Sequence, residues 1–250
     1  MAARLVLLGL GVAGVGAVLL VGLGALPHFG EVHHGYGVRA VAAALSHRTA
    51  NAVGSVTFDQ RGFDTLGEEL VLFAAVSGCA LVLRHLPERE HRGGTSTGRE
   101  YLTGRDVSRA TRLLAVLLLW WSVLVGTEML LHPHTAPGGG FQAGVALTGG
   151  LLAIFASRPD KLAKLAPGPL LEAIEAVALG AFLALALSGI AFGHGFLANF
   201  LPLGRWDTLL SGGTIAPLST ATGLAVAAGI LLLADEFARS RRDGDDEAKT

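Results

Sequence analysis

Acidic side chains in an otherwise apolar chain are the first residues that could do chemistry. The stretch "DQRGFDTLGEE", from Asp59 to Glu69, places Asp64, Glu68 and Glu69 at the head of a long apolar run. With Arg61 facing them, these carboxylates form an acidic mouth able to hold a proton or a cation. The same residues also fit a plain structural role. Thr65 as N-cap with Glu68 three residues on makes a capping box, and acids suit the positive end of a helix dipole. Glu128 lies in the last turns of "LLAVLLLWWSVLVGTEMLLHPH". A carboxylate so near hydrocarbon commonly faces a partner, a water-filled cavity or an ion path. The alternative is that it reaches the outer interface and pairs with His132 or His134. Glu172 and Glu175 follow "APGP" and suit the first turns of a helix with Pro169 near its start; Glu175 reaches deeper and is a further ion-path candidate.

Histidine titrates near neutral pH and ligates metals, so the nine histidines could form a proton funnel or a metal site. No spacing among them matches a recognised zinc motif, and no metal site is expected. A single cysteine, Cys79, excludes an internal disulfide and a cysteine-rich metal centre. The net charge of -1 excludes nucleic acid as a natural partner.

These residues have to be positioned by membrane helices. Of the 250 residues 51% are hydrophobic and 16% charged, with a mean hydropathy of +0.54, too apolar for one soluble core. The 35 glycines suit helices that approach closely in lipid. Six segments approach the roughly 20 apolar residues that a span needs. They are Leu5 to Leu26, Phe63 to Leu83, Leu113 to Leu131, Gly138 to Ser157, Leu170 to Phe192 and Leu209 to Ala234. The expected fold is all-α, a polytopic membrane protein of about six spans in the lipid bilayer. The first run is longer than a signal-peptide core and ends in a poor cleavage site, so it is read as a retained helix.

With both termini cytoplasmic, 15 of the 19 basic residues fall inside and only Arg39, Arg48, Arg61 and Arg205 outside, a positive-inside bias. The polar loop after the second span divides the chain. Residues 1–86 form a two-helix module, 87–112 a basic cytoplasmic linker, 113–238 a four-helix module and 239–250 a charged tail without periodicity, expected to be disordered. Gly140, Gly144 and Thr148, and likewise Gly9, Ala13 and Ala17, recur at four-residue spacing as faces for close helix contact.

The stretch "HPHTAPGGGFQAG", His132 to Gly144, resembles the HxxPGGGFxxG signature of the B subunit of Mrp (Mnh) multisubunit cation/proton antiporters. His134, Pro137, Gly138, Gly139, Gly140, Phe141 and Gly144 match in place. Pro137 and the glycines read as a helix entrance that could attract the Glu128 carboxylate. "SGGTIAPLSTATGLAVAAG" is similar to a later stretch of that family, matched best at Gly213, Thr214, Ile215, Pro217 and Leu218. It departs by the extra Ala216 and by Ser219 in place of a polar amide. "FDQRGFDTLGEE" resembles the C-terminal end of that family's large A-type component. The same piece stands as a separate small subunit in membrane-bound hydrogenases. Only Glu69 stands where an apolar residue is commoner.

The resemblance implies a fusion of two subunit types within a complex of A, C, D, E, F and G partners in the cell membrane. Such a complex exchanges Na+ or another monovalent cation for H+. The chain would be a transporter subunit rather than an enzyme and would carry no cofactor. It would supply packing surface and part of the cation path, with Glu68 first among the candidates and Asp64, Glu128 and His134 after it. Two alternatives stand beside this reading: a membrane-arm subunit of an ion-pumping hydrogenase or dehydrogenase, and a histidine-dependent membrane metalloenzyme.

Overall fold

A computed structural model of the protein describes residues 2–26, 35–85, 108–157, 167–206, 208–209 and 211–247. The described residues are helical with turns between. Helix α1 spans Ala2–Gly24, α2 Gly35–Ser46, α3 Ala52–Ser55, α4 Gly62–His85, α5 Arg109–Leu131, α6 Gly140–Ser157, α7 Gly168–Ala191 and α8 Ile215–Glu247. Five of them, α4 to α8, are long and apolar enough to cross a membrane, and Gly9–Gly24 adds a shorter apolar stretch within α1. The protein is a multi-pass membrane protein. His28, His33 and His34, most of the basic linker and the basic segment at 158–164 lie outside the described residues.

The chain divides into two units, 1–39 and 40–250. In the first, the small positions Gly9, Ala13 and Ala17 of α1 are exposed. In the second, α8 is the central helix and packs against α4, α6 and α7, with a smaller contact to α5. Over its apolar window α8 is 67% buried, whereas α5 is 17% buried and offers Leu113, Leu117, Trp120, Trp121 and Leu124 outward. Apolar side chains facing outward lose nothing in lipid, so these helices need no polar outer face.

Small residues bring the backbones together. A Cβ on Gly140 would lie 2.5 Å from the Ser219 carbonyl oxygen, and one on Gly144 2.7 Å from the Gly223 oxygen. The small face on α6 therefore meets this chain's own α8, where Ser219 and Gly223 repeat the four-residue spacing. The other side of α6 closes on α5: a Cβ on Gly150 would lie 2.6 Å from the Leu119 Cα. Two apolar clusters hold the ends of the bundle. Phe58, Leu66, Phe182, Ala186, Ile215 and Leu218 gather near the motif loops, and Val76, Ala80, Leu171, Leu231 and Leu232 gather at the other end.

Several expectations need correction. The second long helix begins at Gly62, so Thr65 is inside it and is no N-cap; the capping box does not form. Pro137 does not open the helix after the glycines, because α6 begins at Gly140 and its first turn is closed by Gly139 O accepting from Ala143 N at 2.9 Å. The last helix begins at Ile215 rather than Leu209, since Gly212 and Gly213 hold φ of +78° and +64°. It continues through Glu247, past the point where the tail's composition predicts disorder, and an Arg239 to Asp235 ion pair of 2.7 Å ties its i,i+4 positions.

Candidate functional site, a cleft between two motifs

Ahead of α4 the chain makes an unusual entrance. Asn51 caps α3 through Oδ1, which accepts from Val53 N at 3.1 Å. A π-helical turn follows over Val56–Gln60, closed by Arg61 N donating to the Val56 oxygen at 2.8 Å. Wide turns of this kind re-aim the backbone and recur at functional sites. Thr65, buried in the first turns of α4, donates from Oγ1 to the Thr57 oxygen at 2.6 Å and binds the turn to the helix. Thr65→Val should keep shape but remove this bond, lowering the unfolding free energy by about 1 kcal/mol. Thermal unfolding of the purified protein reads it, and an unchanged melting point would show that the bond carries no weight.

The helix that leaves the turn presents Asp64 and Glu68 to a cleft of about 290 Å³, where they meet the second motif. Arg61, Asp64, Thr65 and Glu68 line one side, and Gly138, Gly139, Phe141 and Gln142 the other. Arg61 pairs with Asp64 across one helical turn, and both remain exposed, as does Glu68. The three consecutive glycines serve three purposes. Gly138 has φ +136°, a region that side-chain-bearing residues avoid. A Cβ on Gly139 would press on Phe58 at 3.3 Å, and Gly140 lets α6 reach α8.

Asn51 clamps the loop that carries the glycines. Its Nδ2 donates to the Pro133 oxygen at 2.9 Å and to the Ala136 oxygen at 2.8 Å, and its backbone N donates to the His134 oxygen at 3.0 Å. His134 is fully buried, and its Nε2 donates to the Thr208 oxygen at 2.9 Å, so it pegs this loop to the 208–214 turn. Asn199 holds the same turn, donating to the Gly212 oxygen at 3.0 Å and accepting from Thr214 N at 2.8 Å. Glu128 is brought to neither the cleft nor the glycines. It is exposed and lies 3.1 Å from His132 Nδ1, one turn along its own helix.

The cleft thus brings together Asp64 and Glu68 with the glycine signature, and leaves Glu128 and His134 outside it. Among the described residues no three metal-ligating side chains converge. Motif and position in the sequence single out Glu68 ahead of Glu69 and Glu175, yet the side chains of the latter two are the buried ones, at 2% and 5% exposure. Helical phase is the signal that finds them. Gly62, Thr65, Leu66, Glu69, Val76 and Ala80 form one buried stripe of α4, as Leu171, Glu175, Ala178, Phe182 and Ala186 do on α7. Glu68 is one position out of phase, and is exposed at the cleft.

Comparison with known proteins finds a likeness for part of this arrangement. Residues 110–232 match the sequence model of a domain related to the MnhB subunit of Na+/H+ antiporters. An uncharacterized protein of Methanocaldococcus jannaschii is 29% identical over 202 residues, 72% of this chain and 74% of that protein. A probable K+/H+ antiporter protein of Rhizobium meliloti, of the combined A/B type, is 31% identical over 116 residues, 41% of this chain and 12% of the relative. Among solved structures, a chain of the membrane-bound sulfane sulfur reductase, an archaeal respiratory membrane complex, aligns with a TM-score of 0.68 and 27% identity. The alignment covers 95% of this chain and 98% of that one. A chain of the Mrp complex from Dietzia sp. DQ12-45-1b shares the fold, with a TM-score of 0.66 and 21% identity over 94% of this chain and 26% of its own length. The matched segment takes in α5 to α7 and most of the membrane part of α8. Helix α4, from the other sequence module, packs directly on it.

Proposed function

We propose that this protein is a membrane subunit of a multisubunit monovalent cation/proton antiporter in the cell membrane, packing partner helices and forming part of the cation route. The observation that carries the reading is the cleft in which Asp64 and Glu68 face the PGGGF stretch of the matched segment. A carboxylate beside a cleft roomy enough for several waters can hold a hydrated or partly hydrated Na+ or K+ and exchange it for a proton. Asp64, already paired with Arg61, sets the local field, and Glu68 is the exchanging group. Glu128 lies at the same end of the bundle beside His132, and His134 keeps the loop in place.

In this reading residues 1–86 play the part of the C-terminal helices of the A-type component, and the basic linker with both termini lies in the cytoplasm. Proteins of the A, C, D, E, F and G types are the partners. The chain transports rather than catalyses, and needs no resident cofactor. Glu68→Gln removes the charge at constant shape and should slow cation/proton exchange by the assembled complex about tenfold, a barrier rise of about 1.4 kcal/mol, without loss of assembly. Exchange at the native rate would remove Glu68 from the ion route.

A second reading, a membrane-arm subunit of an ion-pumping respiratory complex, is supported by the near full-length similarity to the sulfane sulfur reductase chain. Purification of the native complex and identification of its components separates the two. Redox subunits would favour the second, and antiporter components alone the first.

A further inference from the structure

Between the ends of the bundle the central helix α8 carries a polar line through an otherwise apolar interior. Thr222, Gly229 and Glu236 stand seven residues apart, so they lie along one face of α8 with only a small drift per step. A different acidic or basic group comes to each. At Thr222 it is Glu69 of α4, whose side chain is buried at 2% exposure beside the Thr222 hydroxyl, itself on a fully buried residue; Glu69 Oε1 and Thr222 Oγ1 make no other hydrogen bond among the described residues. At Gly229 it is Glu175 of α7. A Cβ on that glycine would stand 3.0 Å from Glu175 Oε1, so the missing side chain makes room for the carboxyl. At Glu236 it is Arg84, whose Nε donates to Glu236 Oε1 at 2.9 Å and whose Nη2 donates to Glu172 at 2.7 Å.

The surroundings decide what the two inner carboxyls can be. From α4 the charged neighbour of Glu69 is Glu68, and from α7 it is Glu175, close enough for the charges to act on one another. Glu175 faces Glu172 on its own helix. Helix α8 carries no charged residue from Ile215 to Ala234, and α6 none at all. Neither glutamate forms an ion pair among the described residues. Two carboxylates held in a membrane interior without a cation are too costly to remain charged, whereas protonated carboxyls are not. The rise from Thr222 to Gly229 is about 10 Å, a gap that a few waters span.

We propose that Glu69 and Glu175 are two buried stations of a proton route running along the 222, 229 and 236 face of α8 to the Arg84, Glu172 and Glu236 cluster. This deepens the antiporter reading, on which it rests for the source and sink of the protons. It assigns the proton to the interior and leaves the cation to the cleft at Glu68. The ligand is H+, and each station takes a proton on a carboxylate oxygen and releases one from it. Arg84 holds the far cluster together, so protons leave into a site already charged and open to water.

The test begins with the unaltered complex. Dicyclohexylcarbodiimide, a lipid-soluble reagent selective for protonated carboxyls in apolar surroundings, should label Glu69 and Glu175, as read by peptide mass spectrometry, and sodium ions should not protect them. Absence of label from both, or protection of both by sodium, overturns the proposal, the second result because it would make the pair a cation site. In reconstituted vesicles, Glu69→Gln and Glu175→Gln should each slow proton movement at least about tenfold. Native rates in both assembled variants overturn it as well. If the unaltered complex moves no protons against a cation gradient, the antiporter reading fails, while the labelling still reports whether the two carboxyls hold protons.

Discussion

Gly140→Ala is expected to destabilise the folded subunit by about 1–3 kcal/mol, and Gly140→Leu to prevent accumulation of assembled complex. A single methyl at this position would stand 2.5 Å from both the Ser219 oxygen and the Thr222 Cβ, and the first of these is backbone that no rotamer change can move. The two helices would have to separate along their whole contact, which also holds Gly144 against the Gly223 oxygen. Gly149→Ala is the control. Its nearest neighbour would be Ser122 Oγ at 3.8 Å, ordinary contact distance, and loss of a helix-interior glycine is worth about 0.5–1 kcal/mol in the stabilising direction. Thermal denaturation of the purified complex compares the pair. Equal melting points for Gly140→Ala and the native protein would falsify the claim that this crossing is closed by backbone contact.

Asn51→Leu is the second substitution with a large expected effect. The amide is the only side chain among the described residues seen to hold the Pro133 and Ala136 carbonyls, and it also caps α3. Leaving two part-buried acceptors without a donor costs about 1–3 kcal/mol each. The damage should stay local, because two other ties of the loop remain, Asn51 backbone N to the His134 oxygen and His134 to Thr208. The expected signature is faster backbone hydrogen exchange across residues 132–139 and slower ion exchange, with the bundle intact. Native protection of that loop would show that Asn51 is dispensable. Asn51→Asp is informative too, since it keeps the cap acceptor and loses the two donations.

Much of this architecture is legible in the sequence. Apolar runs locate the membrane helices to within a few residues, except the start of α8, which comes six residues after Leu209, and the two signatures that meet in the cleft, RGFDTLGE and PGGGF, are each readable as motifs. What the sequence does not state is that they touch, because that requires the π-helical turn at Val56–Gln60, and nothing in "VTFDQ" announces a wide turn. Helix α2 is hidden for a different reason: "GYGVRAVAAALS" is too short to span and has no long apolar run to mark it, although Ala40 and Ala44 form its buried side. Glu69 and Glu175 are hidden by emphasis. Counting acids at a helix start favours the first turn, whereas phase along the helix separates Glu68 from Glu69 by about 100°. Composition predicts a disordered tail, and α8 overrides composition by continuing from a packed segment.

The central place of α8 also bears on how the protein is made. Membrane helices are inserted in order as the chain emerges, and domains form as their parts become available. Here the helix that α4, α6 and α7 share arrives after all three. Until residues 215–237 have left the ribosome, Gly140 and Gly144 have no partner backbone and the carboxyl of Glu175 has no glycine notch to enter. Synthesis that stops shortly before residue 215 should therefore yield inserted but loosely associated helices, open to proteolysis and to quality control. Assembly of this bundle is in effect timed by α8, and any partner that needs the closed bundle must wait for that helix to be made.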